Sequence, residues 1–301
     1  MEISITKRPL TSYRGRFAPS PSGFLHFGSL IAALASFLHA KSQRGTWLVR
    51  IEDIDPPREK EGASQNILNT LEAFGLCWDE NVLYQSQQTA LYQEVLHYLS
   101  KNNLSYACQC SRADIKKLGG IYQGQCRHLL LSAEQQAIRL TNDHGIHQYQ
   151  DIIQGQILCD PLLAEEDFIL RRKDGLFAYQ LAVVVDDIYQ GISHVIRGCD
   201  LLDPTARQLS LYQVLNHQAP QYGHFPLAIT EQGYKLSKQN KAPAINIKQP
   251  QPALIAALNF LGQHPPNELI SATVEEIITW AIRHWSLKQI PKRQKIIYQE
   301  Q

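Results

Sequence analysis

His26, Gly28 and Ser29 stand just ahead of Leu30, Ile31, Leu34 and Leu38, apolar residues at helical spacing. A histidine there can donate a hydrogen bond to a phosphoryl oxygen, and a glycine two residues on lets a flat base lie against bare backbone. With Ser29 as the expected N-cap, the free N–H groups and positive end of the helix would favour an anion, typically a phosphate. Read alone, His-x-Gly at a helix start serves ordinary capping and turn chemistry equally well. Downstream, the acidic run Glu52-Asp53-Ile54-Asp55 closes an apolar stretch, and Glu52 is the carboxylate best placed to hold an ammonium group, although such acids also solvate turns. Arg197 ends another apolar stretch, where a planar guanidinium suits a bidentate grip on a carboxylate or a structural ion pair. Cys108, Cys110 and Cys126 can supply three thiolates to a tetrahedral zinc, with His128 the chemically common fourth ligand. Lys235 and Lys238 flank Ser237 in a loop after a further apolar run.

These residues need elements to hold them. Residues 13–18 read as a strand, Pro19 and Pro21 keep the following chain extended, Gly23 gives a turn, and the helix follows. A second strand over 46–51 delivers Glu52, a third over 192–196 delivers Arg197, and one over 225–229 leads to the lysine loop. Ligands of open α/β sheets gather at the carboxyl ends of strands, so the Glu52 cluster and the His26 loop are expected on one edge. Amphipathic helices are predicted over 62–75 and 87–102, the second capped by Ser86, and helices over 252–261 and 274–285 near the end. No chemistry is assigned to the polar stretch 129–173, and the basic tail 288–295 reads as a solvated terminus.

The 301 residues, 44% of them hydrophobic, suffice for one large core with an insertion or second lobe. The first ten residues hold no apolar run of the kind a secretion signal carries, and the longest aliphatic run, 181–185, is too short for a bilayer, so a cytoplasmic protein without membrane contact is expected. The net charge of +1 is not that of a basic nucleic-acid binder, which would sit above about pI 9. RNA contact would depend on a local patch such as Arg112, Lys116, Lys117 and Arg127. Three crowded cysteines with Cys77, Cys159 and Cys199 apart suit a metal in a reducing compartment better than disulfides.

The string Arg16-Phe-Ala-Pro-Ser-Pro-Ser-Gly-Phe-Leu-His26-Phe-Gly28-Ser29 resembles the HIGH-motif region of class I aminoacyl-tRNA synthetases, in the glutamyl branch, with serine in place of the last histidine. Val195-Ile-Arg-Gly-Cys-Asp200, Thr205-Ala-Arg207-Gln208 and Leu211-Tyr212 resemble the same branch, and Lys235-Leu-Ser-Lys238-Gln239 is similar to its KMSKS signature. The resemblance implies an α/β fold: a Rossmann-type parallel sheet with a zinc-containing insertion and a short helical C-terminal lobe. The expected divisions are 1–105 and 176–242 for the two halves of the nucleotide-binding domain, 106–175 for the insertion, and 243–301 for the final region. It implies that Arg16, Phe17, Ala18, Pro19, Ser20, Glu52, Tyr179 and Arg197 hold glutamate. Pro19, His26, Gly28, Ser29, Lys235, Leu236, Ser237, Lys238 and Gln239 would serve ATP with magnesium, His26 and Lys238 acting catalytically. The family's Cys-x-Cys…Tyr-x-x-x-Cys pattern makes Tyr122 the fourth ligand of one structural zinc.

Full glutamyl-tRNA synthetases continue into helical anticodon-binding domains, whereas this sequence stops soon after the lysine loop. In that respect it resembles the glutamyl-Q tRNA(Asp) synthetase family, whose members activate L-glutamate with ATP without tRNA and transfer it to queuosine at the wobble position of tRNA(Asp). The competing readings are a truncated synthetase charging the 3′ end of tRNA(Glu), an adenylate former of the pantothenate synthetase kind, and a non-catalytic RNA-binding paralogue.

Overall fold

The computed structural model describes Ile5 and residues 12–236 and 243–298; Ser237, Lys238 and Gln239 lie outside the described residues. Its strands are β1 (Arg14–Phe17), β2 (Thr46–Ile51), β3 (Leu83–Tyr84), β4 (Ser105–Cys108), β5 (Ala137–Leu140), β6 (Gln148–Asp151), β7 (Gly155–Leu158), β8 (Ile169–Arg171), β9 (His194–Gly198), β10 (Gln221–Phe225), β11 (Leu227–Ile229) and β12 (Lys295–Ile297). Its α-helices are α1 (Phe27–Ser42), α2 (Ala63–Ala73), α3 (Thr89–Lys101), α4 (Arg112–Lys117), α5 (Pro161–Ala164), α6 (Tyr179–Gln190), α7 (Leu202–Val214), α8 (Pro250–Phe260) and α9 (Val274–His284).

Parallel pairing of β1, β2 and β3 makes one half of the central sheet, and β9, β10 and β6 pair in parallel in the other, with β7 antiparallel at its edge. The halves meet where Ser193 N donates to Arg14 O at 2.9 Å, beside β1 and β9. The chain leaves β1 towards β2 and leaves β9 towards β10, so a crevice opens between them at the carboxyl ends of the strands. β4, β5 and β8 form a separate antiparallel sheet.

Part of the polar stretch without assigned chemistry joins the main sheet: Asp151 of β6 is in register with Tyr222 of β10. The two C-terminal helices belong to the first core, where Leu254, Leu258, Ile277 and Ile278 pack with Leu34 and Leu38 of α1 and Trp47 and Val49 of β2. A second core joins α3, α6 and α7 through Tyr92, Val95, Leu181, Val184 and Leu211.

Four local expectations are corrected. Pro226 divides the strand expected over 225–229 into β10 and β11, because proline has no N–H for a ladder. Ser86 does not cap α3; its hydroxyl donates to Asp53 at 2.6 Å, and the helix starts at Thr89. The cations of the basic tail, Lys288, Lys292, Arg293 and Lys295, are exposed as expected, but the segment is not a loose end, since Ile290 is buried and Lys295–Ile297 pairs in parallel with β11. Ser29 is not the N-cap of α1; His26 is, for the reason given below. Among the described residues no helix is long and apolar enough to cross a membrane.

Candidate active site and metal centre

A cavity of about 430 Å³ occupies the crevice. Four parallel strands contribute their carboxyl ends, with Phe17 and the turn to Ser20 after β1, Glu52 after β2, Arg197 on β9 and Phe225 on β10, while Leu227 and Ala228 of β11 line another side. The acidic cluster and the His26 loop therefore share one edge, as expected.

His26 is extended (φ −117°, ψ 174°), and its Nδ1 accepts the Ser29 backbone N–H at 3.3 Å while its own N–H donates to Ser29 Oγ at 2.7 Å. This reciprocal cap makes His26, rather than Ser29, the N-cap of α1. It also fixes the imidazole tautomer: with Nδ1 accepting, the proton of the neutral ring sits on Nε2. The Ser29 hydroxyl donates to His26 O at 2.8 Å, so its proton serves the helix start. Gly28 is required by proximity, because a Cβ would lie 2.9 Å from the Leu236 carbonyl oxygen and 3.1 Å from the His26 ring. The segments on both sides of the undescribed lysine loop thus touch the His26 loop: Leu236 abuts Gly28, Ala244 bridges to His26, and Ile245 N donates to Leu25 O at 3.1 Å. Lys235 and Leu236 line the cavity, and Lys235 Nζ pairs with Asp200.

All the described residues expected to hold glutamate line the cavity: Arg16, Phe17, Ala18, Pro19 and Ser20 on one side, Glu52, Tyr179 and Arg197 on the others. Their polar atoms are differently employed. Arg16 directs Nε and NH2 to the two oxygens of Asp187, each at 3.2 Å. Asp187 also takes Arg50 NH1 at 2.8 Å, and their charges hold its carboxyl below the usual range despite burial. Glu52 is 9% exposed; burial pushes its pKa up to about 7, against the pull of Arg50 and Arg16, and its Oε1 stands 3.7 Å from Arg50 NH2 with no hydrogen-bond partner. Such an acid gains most from a cationic guest.

Arg197 corrects the expectation of a bidentate grip. Its Nε donates to His224 Nε2 at 3.0 Å, and its NH2 donates to Thr205 Oγ1 at 2.7 Å and Leu201 O at 3.3 Å. NH1 is buried and has no partner. One nitrogen with two protons remains for a ligand. His224 and its partner Asp151 were missed by sequence reasoning, for no motif contains either one.

The three cysteines come together as expected. The Sγ atoms of Cys108, Cys110 and Cys126 all lie within 4.8 Å of one another, with Cys110 and Cys126 at 3.5 Å. Burial, then the neighbouring thiols, push Cys110 up to about 12, whereas at Cys126 burial is outweighed by hydrogen bonds, the one from the Gln109 backbone first, which hold it below its ordinary value; a bound cation would favour the thiolates of the whole set. Tyr122 is buried in the same cluster, its hydroxyl accepting the Cys126 N–H at 2.8 Å, whereas His128 is exposed and outside the group. The residues present fit a thiolate-bound metal. Of the expected RNA patch, Arg112, Lys116 and Lys117 are exposed on or beside α4, but Arg127 is tied to Asp167 at 2.9 Å and Asp143 at 3.0 Å.

A parallel sheet with a His-x-Gly helix start at its switch point, facing a buried carboxylate and a guanidinium, is the arrangement that the resemblance to class I aminoacyl-tRNA synthetases implies. The family described as tRNA synthetases class I (E and Q), catalytic domain, matches residues 12–295. A glutamyl-Q tRNA(Asp) synthetase of Colwellia psychrerythraea is 62% identical over 95% of this chain and 96% of its own, and one of Photobacterium profundum is 55% identical over 95% and 93%. The crystal structure of a glutamate tRNA ligase from Elizabethkingia meningosepticum in complex with its amino acid superposes with a TM-score of 0.78 at 25% identity, covering 94% of this chain and 66% of that one. The chain belongs to the class I E and Q synthetase family and, within it, to the glutamyl-Q tRNA(Asp) synthetases.

Proposed function

We propose that the protein activates L-glutamate with ATP, in the absence of tRNA, and transfers the glutamyl group to queuosine at the wobble position of tRNA(Asp). The observation that carries the first step is a pair of buried atoms without hydrogen-bond partners on residues lining one cavity, Glu52 Oε1 and Arg197 NH1. The carboxylate would take the α-ammonium group and the guanidinium the side-chain carboxylate, with Arg16, Tyr179 and the backbone from Phe17 to Ser20 shaping the space between. Glutamine would be rejected because it leaves the buried guanidinium's charge unmatched.

The free α-carboxylate then faces the nucleotide end. Its oxygen attacks the α-phosphorus, the bond to the pyrophosphate oxygen breaks, and no proton needs to move. His26 Nε2–H would donate to a phosphoryl oxygen, Gly28 would let the adenine lie against backbone, and Lys238 would meet the phosphates as charge develops. Magnesium carried in with ATP would offset the charge of the pyrophosphate. In the second step a cyclopentene hydroxyl oxygen of queuosine would attack the acyl carbon, the bond from that carbon to the AMP phosphate oxygen would break, and the hydroxyl proton would pass to the departing phosphate or to solvent. Cys108, Cys110, Cys126 and Tyr122 would hold one structural zinc that orders the β4–α4 segment, and exposed cations on α4 would face RNA phosphates.

Glutamate-dependent exchange of labelled pyrophosphate into ATP without tRNA tests the first step. The reading requires exchange with glutamate and not with glutamine; exchange that appears only when tRNA is added would refute it.

A further inference from the structure

We propose that Asp151 and His224 are positioning residues that set the hydrogen-bond polarity around Arg197 and thereby its selectivity for a carboxylate. The inference rests on the assignment of Arg197 to the substrate's side-chain carboxylate. The three residues lie on three neighbouring strands, with Asp151 on β6, His224 on β10 and Arg197 on β9, and His224 and Arg197 are register partners. Asp151 and His224 are at most 1% exposed and Arg197 4%.

The polarity runs in one direction. Asp151 Oδ1 accepts three backbone N–H groups, from Ile153 at 2.9 Å, Gln154 at 2.8 Å and His224 at 3.2 Å. Its Oδ2 stands 2.6 Å from His224 Nδ1. Burial works to raise the Asp151 carboxyl, but His224 and the backbone N–H groups hold it below its usual range, and burial holds the His224 imidazole below its own. A carboxylate is acceptor-only, so Nδ1 carries the ring proton and Nε2 offers its lone pair to Arg197 Nε–H. Thr205 Oγ1 donates to Leu201 O at 2.7 Å and accepts Arg197 NH2, and the Tyr222 ring lies 4.8 Å beneath the guanidinium. With Nε and NH2 pinned, NH1 is the nitrogen left for a ligand.

This arrangement makes Asp151→Asn an unusually defined perturbation. The amide oxygen must occupy the Oδ1 position, where three N–H groups demand an acceptor, so the amide NH2 faces His224 Nδ1. The ring proton is then driven to Nε2, against Arg197 Nε–H, and the guanidinium loses its anchor. His224→Gln preserves the polarity, its NH2 donating to Asp151 and its oxygen accepting from Arg197, whereas His224→Leu abolishes it.

The test is pyrophosphate exchange with the full-length chain, reading KM for glutamate, KM for ATP and the preference for glutamate over glutamine, with melting curves to establish folding. In Asp151→Asn and His224→Leu, KM for glutamate is expected to rise about tenfold or more and the preference to fall, with KM for ATP and kcat within about threefold. His224→Gln stays within about threefold of the parent in every parameter. If Asp151→Asn fails to fold, the His224→Leu and His224→Gln pair decides by itself. The proposal is overturned if Arg197→Ala raises KM for glutamate while His224→Leu does not, or if His224→Gln is as impaired as His224→Leu. If Arg197→Ala leaves KM for glutamate unchanged, the substrate assignment fails and the proposal falls with it.

Discussion

Burial of Glu52 carries a pH-dependent cost in stability. Its carboxyl, ordinarily at 4.5, is pushed up to about 7 by burial, with Arg50 and Arg16 only partly offsetting that cost. Between these values the folded chain keeps a proton that the unfolded chain releases, so stability falls as pH rises, at about 1.4 kcal/mol per pH unit. Over the whole window the loss is about 3 kcal/mol, complete above pH 7 and absent below about 4.5. Glu52→Gln removes the titration while keeping the shape. The variant is therefore expected to gain about 2.5 kcal/mol on the parent between pH 5 and pH 8, or about 4 °C in melting temperature for a chain this size. Its KM for glutamate should rise about a hundredfold, because the ammonium group loses its buried counter-charge. Thermal melts of both proteins at the two pH values, with exchange kinetics at pH 8, make the measurement. A stability gap that does not change with pH would refute the reasoning.

Other perturbations separate the remaining parts. His26→Asn keeps an N-cap for α1 but loses the Nε2 donor; melting temperature should change little while kcat falls at least about tenfold, and an equal fall in stability would assign His26 to capping alone. Gly28→Ala places a methyl 2.9 Å from the Leu236 carbonyl and should raise KM for ATP without changing KM for glutamate, checked by exchange kinetics. Cys126→Ser should lower bound zinc, measured by elemental analysis, from one per chain to well below that, and expose the 108–131 segment to protease; a parent protein purified without metal would contradict the centre.

The chemistry was legible where it is carried by neighbours in sequence. His26-x-Gly28 and Cys108-x-Cys110 stand out as candidates because a turn or a metal needs those residue types within a few positions. Arg197 and Glu52 were legible as charges ending apolar strands. What remained hidden depends on strand order. Asp151 sits in a polar stretch with no alternation strong enough to announce β6, and only its pairing with β10 brings it to His224. Nothing in the spacing of Asp151, Arg197 and His224 reveals that three strands set them side by side. The bidentate grip failed for the same reason, since Thr205 reaches Arg197 from a different element, α7. The Ser29 cap was misjudged because serine is the commoner cap, whereas an imidazole with an available Nδ1 serves as well. The tail around Lys295 looked solvated because its charges conceal Ile296 and Ile297, which extend the strand pairing with β11.

The acceptor is tested most directly by incubating the protein with labelled glutamate, ATP and two preparations of tRNA(Asp), one carrying queuosine and one lacking it. Label confined to the queuosine-bearing tRNA, and mapped to the anticodon loop, is the predicted result. Equal labelling of both preparations, or label at the 3′ end, would contradict the account.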